Sequence, residues 1–344
     1  MNAQRGPDGW QDGPRRTAFA VLAVIALALL AWQLAEVFVL LFGGIVAGAA
    51  LRSLSLPLQR RLHLGSGAAV TLAVVLVACA AALIAWQIGD RMSEQVGTLR
   101  ERLPQALDAL VAFLNRHAIG LTLLDLWREA RTADVPWAGV ANAATLSLRA
   151  VTSTLLMLVL GVYLAADPAL YRRGVARLLP ARWREPVDEA LGESGRALAR
   201  WLMGQAVSMA FVGTTTALGL AVLGMPLAVS LGIIAAVLGF VPFFGAISSG
   251  LLVVVFAFVQ GPTLALYAAG LCLAIQQAEN HVLIPLIQRW SVSLPPVLSI
   301  LAAVVFGVLF GIAGVILAAP LMVVAVVLVR RLYVEEVLEA RPPP

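Results

Sequence analysis

The residues best suited to chemistry in this chain lie at 276–281, where Gln-Gln-Ala-Glu-Asn-His interrupts a long apolar stretch. Helical spacing places Gln276, Glu279 and Asn280 on one face. A carboxylate flanked by amides can hold a proton or a cation, or bind a polar solute. Burying an ionisable side chain within a membrane is costly, so such a residue is expected to be functional. The alternative is that this run ends a helix in contact with water.

Arg289 and Glu36 are two further charged candidates, each with a second interpretation. Arg289 follows Glu279 across Pro285, and it could pair with that carboxylate or with an anionic substrate. It could equally extend to the membrane surface beside Trp290. Glu36 could be a proton site or an interfacial residue.

Uncharged polar residues give a weaker signal. Gln205, Ser208 and Thr215 follow one another at helical spacing and could line a pathway, although helix packing commonly explains such a stripe. Ser248 is a path candidate, and with His281 it could form the serine and histidine of an intramembrane protease. Common residues on separate segments are poor evidence for that enzyme.

Composition defines the elements that must position these residues. Of 344 residues, 61% are hydrophobic and 12% charged, against about 45–50% and 25% in soluble domains. With a mean hydropathy of +0.92, this predicts an all-α polytopic membrane protein in the lipid bilayer and excludes a soluble one. All 24 basic residues are Arg and the net charge is +5. In so apolar a chain, this pattern orients helices and predicts no nucleic-acid partner.

Enzymatic signatures are absent from the sequence. It contains no phosphate-binding loop and no nucleophile elbow, and its three histidines lack metal-ligand spacing. We therefore expect no enzyme activity, no cofactor and no metal.

About eight transmembrane helices are predicted, including broken or half-helices, together with amphipathic helices outside the membrane. The first long apolar run is expected to form two short spans that turn at Trp32–Glu36. Breakers interrupt two later runs, at Gly239, Pro242 and Gly245 and at Gly307, Gly311, Gly314 and Pro320. Discontinuous helices of this kind are the sequence pointer to a transporter site.

Charge and hydropathy divide the chain into seven parts. The predicted order is a disordered cytoplasmic tail (1–16), three membrane spans (17–89), an amphipathic extracytoplasmic segment (90–140), a fourth span (141–166), a cytoplasmic interfacial helix (167–200), a C-terminal transport core (201–332) and a cytoplasmic tail (333–344).

Ordered motifs in the C-terminal half give a family resemblance. They are Leu-Gly-Met-Pro at 223–226, Gly-Phe-Val-Pro-Phe-Phe-Gly at 239–245, Glu-Asn-His-Val-Leu-Ile-Pro at 279–285, Val-Ser-Leu-Pro at 292–295, and Gly311 and Gly314 before Ala-Pro-Leu at 319–321. In order and spacing the chain resembles the autoinducer-2 exporter family. Two departures are Ala246 and Gln288, where the family usually has proline and glycine. The resemblance implies a bacterial inner-membrane transporter that forms a ring-like homo-oligomer, with a pentamer as the expected state.

The expected function is a secondary transporter or exporter of a small molecule or ion, driven by a proton or sodium gradient. A sodium (lithium)/proton antiporter, a passive channel and a structural scaffold are the alternatives. The predicted path residues are Glu279, Asn280, Gln276, Pro242, Gly239, Gly245, Pro285 and Arg289, with Gln205, Ser208, Thr215, Ser248 and Glu36 as weaker members.

Overall fold

The structure is a computed structural model that describes residues 12–86, 148–292 and 294–338. These residues are almost entirely helical, and no strand occurs among them, as predicted for an all-α polytopic membrane protein. The predicted extracytoplasmic segment at 90–140 lies outside the described residues. The helices are α1 (Asp12–Leu62), α2 (Ser66–Trp86), α3 (Leu148–Ala166), α4 (Pro168–Arg177), α5 (Ala181–Val222), α6 (Ala228–Leu238), α7 (Phe244–Gln260), α8 (Pro262–Ala278), α9 (Ile284–Gln288) and α10 (Pro296–Val329).

Helix α1 is continuous over 51 residues, so the predicted turn at Trp32–Glu36 is wrong. The sequence contains neither Gly nor Pro from position 17 to 42, and nothing in that stretch interrupts helical hydrogen bonding. Excess length, about 76 Å at 1.5 Å per residue, did not force a break. The helix also begins at Asp12, within the tail predicted to be disordered.

Helices α1 and α3 pack closely through small residues. A Cβ atom at Gly48 would lie 3.0 Å from the carbonyl oxygen of Gly161, so the two backbones come nearly into contact. Helix α4 then bends by 90° from α3. Asp167 caps α4 by accepting a hydrogen bond from the backbone N–H of Leu170 at 3.1 Å.

Helix α5 joins two segments that the sequence analysis separated. It runs unbroken for 42 residues through position 200, where an interfacial helix was expected to end and the transport core to begin. Trp201, the residue directly after the expected interfacial helix, is only 8% exposed. It lies in a core cluster with Phe42, Leu198 and Val323, because α1 and α10 cover that face of α5.

Helices α6 and α7 form a hairpin around the break predicted at Gly239, Pro242 and Gly245. A Cβ atom at Gly245 would lie 2.0 Å from the carbonyl oxygen of Leu238, so the two helix ends meet. Leu231 and Val253, one from each helix, are buried in one cluster. The chain therefore reverses direction here. We call this unit the first hairpin.

Helix α10 contains a second hairpin, with its turn at Gly311. That residue has φ 64° and ψ −148°, a conformation that glycine adopts without steric conflict. A Cβ atom at Gly314 would lie 1.9 Å from the carbonyl oxygen of Phe306, and Ala303 clusters with Ala318. The two arms therefore fold back on each other. Of the predicted breakers in this run, Gly311 makes the turn, whereas Pro320 stays inside the helix.

Four helical stretches among the described residues are long and apolar enough to cross a membrane, and a fifth is counted if α3 and α4 form one bent span. Glu36–Leu62, Ser66–Trp86, Ala181–Val222 and Pro296–Glu336 are the four. Helices α6 and α7 are apolar but shorter. The total of about eight spans stays a prediction.

Candidate functional site

A cavity of 390 Å³ lies between α5, the first hairpin, the polypeptide from Gln276 to Gln288, and the beginning of α10. We call it the Glu279 cavity. Its polar lining residues are Gln205, Ser208, Ser249, Gln276, Glu279, Asn280, Gln288, Ser291 and Ser299. Most other lining residues are apolar, including Trp201, Met209, Phe243, Ile247 and Ile287.

The carboxylate of Glu279 is held by donors from two helices. The hydroxyl of Ser208, on α5, donates to Oε1. The side-chain amide of Gln276, on α8, donates to Oε2 at 3.0 Å. Ser208 is 7% exposed, so its hydrogen bond to Glu279 is shielded from solvent. A carboxylate has about four acceptor positions, so Glu279 can still bind a ligand from the cavity.

Local backbone geometry explains the position of Glu279. A π-helical segment, Glu279–Leu283, separates α8 from α9. Pro285 has no N–H group, so the helical hydrogen bond it would normally donate is missing. The N–H of Ile284 instead donates to the carbonyl of Glu279, five residues earlier. Single π-helical turns of this kind are frequent at functional sites.

The turn of the first hairpin forms the opposite wall. Gly239 and Pro242 both line the cavity, and the side-chain amide of Gln205 donates to the carbonyl of Gly239 at 2.6 Å. Phe243 has a positive φ of 65°, which is uncommon for a bulky residue. The amide of Gln205 therefore fixes a backbone carbonyl at the tip of a broken helix.

Seven of the thirteen predicted path residues meet at this cavity. They are Gln205, Ser208, Gly239, Pro242, Gln276, Glu279 and Asn280. The other six do not line it, namely Glu36, Thr215, Gly245, Ser248, Pro285 and Arg289.

Their positions account for the six exceptions. Gly245 is buried where the two helix ends of the first hairpin meet. The hydroxyls of Thr215 and Ser248 donate to backbone carbonyls one turn earlier, at 2.7 and 2.6 Å. Glu36, Pro285 and Arg289 are exposed. Arg289 makes no ion pair among the described residues, so the pairing with Glu279, one of the alternatives for this residue, is absent there.

Several lining residues escaped the sequence analysis. The sequence pattern predicts no functional role for Trp201, Gln288, Ser291 or Ser299. The relevant signal was available for Trp201, because it lies one turn before Gln205 on the same helix. Recognising it required knowledge that α5 continues through residue 200.

The cavity combines a carboxylate, neutral donors and acceptors, and apolar walls. Such a site can bind a proton, a cation or a solute with a polar group. The broken helices that form its walls are a known architecture for ion and solute sites, because half-helix ends and freed backbone groups can contact the ligand.

Family comparison places the whole fold in a recognised group. The family model described as AI-2E family transporter matches residues 19–333, which include all the residues that line the Glu279 cavity.

Relatives from several bacteria support the same assignment. A protein of Mycobacterium tuberculosis, provisionally named a transport protein, is 34% identical over 186 residues, or 53% of this chain and 49% of the relative. A Bacillus subtilis protein with the same kind of name, YueF, is 29% identical over 47% of this chain and 44% of its own length. The chain thus spans about half the length of these two relatives. A Synechocystis protein is 25% identical over 77% of this chain and 79% of its own length.

Proposed function

This chain belongs to the AI-2E family of transporters, and we propose that it is a secondary transporter whose solute or ion passes through the Glu279 cavity. A proton or sodium gradient is the proposed energy source. The observation that carries this proposal is the contact of Glu279 with Ser208 and Gln276 beside the turn of the first hairpin. This contact places a carboxylate, which can exchange a proton or a cation, beside two interrupted helices: the π-helical segment after α8 and the first hairpin.

Glu279 is proposed to couple the gradient to solute movement. It is the one carboxylate in the sequence between Glu193 and Glu335, so no other acid in that interval can take this role. Its occupation by a cation would remove the negative charge from the cavity. Ser208 and the turn at Gly239 would then experience a different field, which can favour one arrangement of the hairpin over another.

A sodium (lithium)/proton antiporter is the second candidate. Ser208, Gln276 and Asn280 surround Glu279 with oxygen-bearing side chains, and oxygen is the ligand type that hard cations prefer. In this case the cation itself would be the cargo and would compete with a proton for the carboxylate.

Transport in proteoliposomes tests the proposal. The purified protein is reconstituted with an imposed pH or sodium gradient, and a panel of labelled solutes is screened alongside a pH-sensitive dye in the lumen. We expect gradient-dependent flux, lost in Glu279→Gln and retained in Glu189→Gln. Glu189 is an exposed carboxylate on the same α5 helix as Ser208, so it is a matched control.

The possible results separate the candidates. Sodium-for-proton exchange without solute movement would select the antiporter. Solute movement that only follows its own concentration gradient would indicate a passive channel, and no movement under any gradient would indicate a scaffold. Normal flux in Glu279→Gln would remove Glu279 from the coupling site.

Location and assembly are further parts of the proposal. We place the protein in the bacterial inner membrane as a ring of identical chains. The ends of α1 and α10 with Arg60, Arg61, Arg330 and Arg331 would face the cytoplasm by the positive-inside rule. Both chain termini are proposed to be cytoplasmic. For the N-terminus this now requires that the long α1 does not simply cross once, because α1 is a single helix.

A further inference from the structure

We propose that the Glu279 cavity binds a small organic cation, with its ammonium group beside Glu279 and its apolar body against the cavity walls. This inference rests on the proposed transport function and deepens it by naming the class of solute.

Charge is the first reason. Glu279 is the one ionisable side chain among the described residues that line the cavity. The basic residues that follow it in sequence, His281 and Arg289, are exposed and do not line the cavity. Hydrogen bonds from Ser208 and Gln276 stabilise this partly buried carboxylate without neutralising it. A positively charged ligand would balance its charge among the apolar helices.

Size is the second reason. A volume of 390 Å³ falls in the usual range for small-molecule sites, about 300–1,000 Å³. A dehydrated metal ion would fill a small part of it. No group of three or more His, Cys, Asp or Glu side chains that could hold a metal occurs in the part of the chain that the structure describes. The remaining space is suited to an organic body.

The cavity walls are the third reason. Trp201 and Met209, on α5, and Phe243, in the turn of the first hairpin, all line the cavity. Aromatic faces attract organic cations, and tryptophan does so most strongly. Trp201 is fixed by an edge contact with Phe240, with ring centroids 6.2 Å apart and planes at 81°. An organic cation would therefore find an aromatic surface, mainly that of Phe243, which is 45% exposed, as well as a counter-charge.

The same lining disfavours anionic solutes. A phosphate or carboxylate in the cavity would face the charge of Glu279 and would find no Arg or His among the described lining residues. Anion sites normally provide such groups. The charge of Glu279 therefore favours cationic over anionic solutes, whatever their shape.

Direct binding tests the assignment separately from transport. Radiolabelled benzyltrimethylammonium is dialysed to equilibrium against the full-length protein in detergent, with benzyl alcohol and benzenesulfonate as neutral and anionic comparison ligands. We expect benzyltrimethylammonium to bind at least tenfold more tightly than either. Glu279→Gln should weaken its binding tenfold or more, and Glu189→Gln should leave it unchanged.

A second variant guards against misfolding of Glu279→Gln. Ile247 lines the cavity and is 71% exposed, so Ile247→Lys adds a positive charge to the wall with little disturbance of packing. It should weaken benzyltrimethylammonium binding and spare benzenesulfonate. Size-exclusion profiles establish that both variants remain folded.

Specific results would overturn the inference. Equal binding of the three ligands, or undiminished binding in both Glu279→Gln and Ile247→Lys, would show that the cavity does not select organic cations. If these ligands fail to bind while another solute shows Glu279-dependent flux, this inference falls and the proposed transport function stands. If the cation binds at Glu279 but no solute moves under any gradient, the site assignment stands and the transport function falls.

Discussion

Ser208 on α5 donates its hydroxyl hydrogen bond to Glu279, which lies 71 residues later in the sequence. The bond joins α5 to the π-helical segment between α8 and α9. It connects the polar residues of α5, Gln205 and Ser208, with the acidic residue of the cavity. Movement of α5 relative to α8 would therefore alter the environment of the carboxylate directly.

Replacement of Ser208 by alanine should impair the site without removing its charge. A hydrogen bond to a charged group contributes roughly 1.5–3 kcal/mol, and 1.4 kcal/mol corresponds to about a tenfold change. We expect Ser208→Ala to reduce gradient-driven flux by about tenfold or more in proteoliposomes. Ser208→Thr, which keeps a hydroxyl, should retain more activity than the alanine variant.

Ser248→Ala is the matched control, because the hydroxyl of Ser248 is exposed and donates to a carbonyl of its own helix at 2.6 Å. Its flux should equal that of the unmodified protein. Equal flux in Ser208→Ala and Ser248→Ala would show that the contact with Glu279 has no part in transport.

Gly311→Ala should destabilise the second hairpin through the backbone alone. No neighbouring atom lies within 4 Å of a Cβ atom built at Gly311, so the substitution creates no clash. Its φ of 64° with ψ −148° is nevertheless strained for alanine by about 1–3 kcal/mol. Thermal unfolding in detergent should show a lower midpoint. Gly250→Ala, in the helical part of α7 and also without neighbours, should unfold at the original temperature or above it.

Gly245→Ala should open the first hairpin, because the added Cβ atom would lie 2.0 Å from the carbonyl oxygen of Leu238. The two helix ends would have to separate, and the wall formed by Gly239 and Pro242 would move with them. We expect reduced thermal stability, by roughly 1–3 kcal/mol or more, together with weaker benzyltrimethylammonium binding. Gly270→Ala on α8 has open space around the new atom and should change neither property.

Charge reversal tests the contact between α5 and the π-helical segment that follows α10, Arg330–Leu338. Arg331 donates to both Glu193 on α5 and Glu335. We expect Arg331→Glu to lower the unfolding midpoint and Glu193→Arg, combined with it, to restore part of the loss. The effect should weaken in high salt, because salt screens exposed charges.

Arg330→Glu provides the comparison for this ion pair. Arg330 pairs with Glu335 inside the same segment and has a side chain that is 68% exposed. Its reversal should have a smaller effect than that of Arg331. A similar loss in both variants would show that the contact with α5 contributes nothing specific.

Membrane orientation can be measured by cysteine labelling after both native cysteines, Cys79 and Cys272, are replaced by alanine. The predicted extracytoplasmic segment carries six Arg and seven acidic residues, whereas residues 167–200 carry seven Arg and five acidic residues. We therefore expect an impermeant maleimide to label His117→Cys in right-side-out vesicles and to leave Arg173→Cys unlabelled. The reverse pattern would invert the proposed topology.

The sequence by itself determined the class of protein and the points at which helices break. An apolar composition with Arg between long runs admits little except membrane helices, since every backbone polar group within lipid must be paired. Glycine and proline act through their own φ and N–H properties, so breaks within 239–245 and within 307–320 could be expected without knowledge of the fold, whereas the structure identifies Gly311 as the turn. Glu279 could be selected because charge is so rare in that half of the chain.

Whether a long helix continues or breaks was harder to predict than where glycine and proline interrupt it. The expected turn at Trp32–Glu36 came from the thickness of a bilayer, yet the residues there favour uninterrupted helix. The boundary expected near residue 200 came from a change in polarity along α5. Local propensity decided both cases, because a helix can extend beyond an apolar layer without breaking.

Tertiary structure alone decided which polar residues form one site. A break in a sequence does not state whether the chain bends slightly or reverses, and only the contacts of Leu238 with Gly245 and Phe306 with Gly314 establish two hairpins. Ser208 and Gln205 became part of the cavity because the first hairpin and α8 pack on one side of α5. Arg289 does not line the cavity, because its side chain lies on the exposed surface of the protein. Helical periodicity specifies a face, whereas the partner of that face depends on packing among segments far apart in sequence.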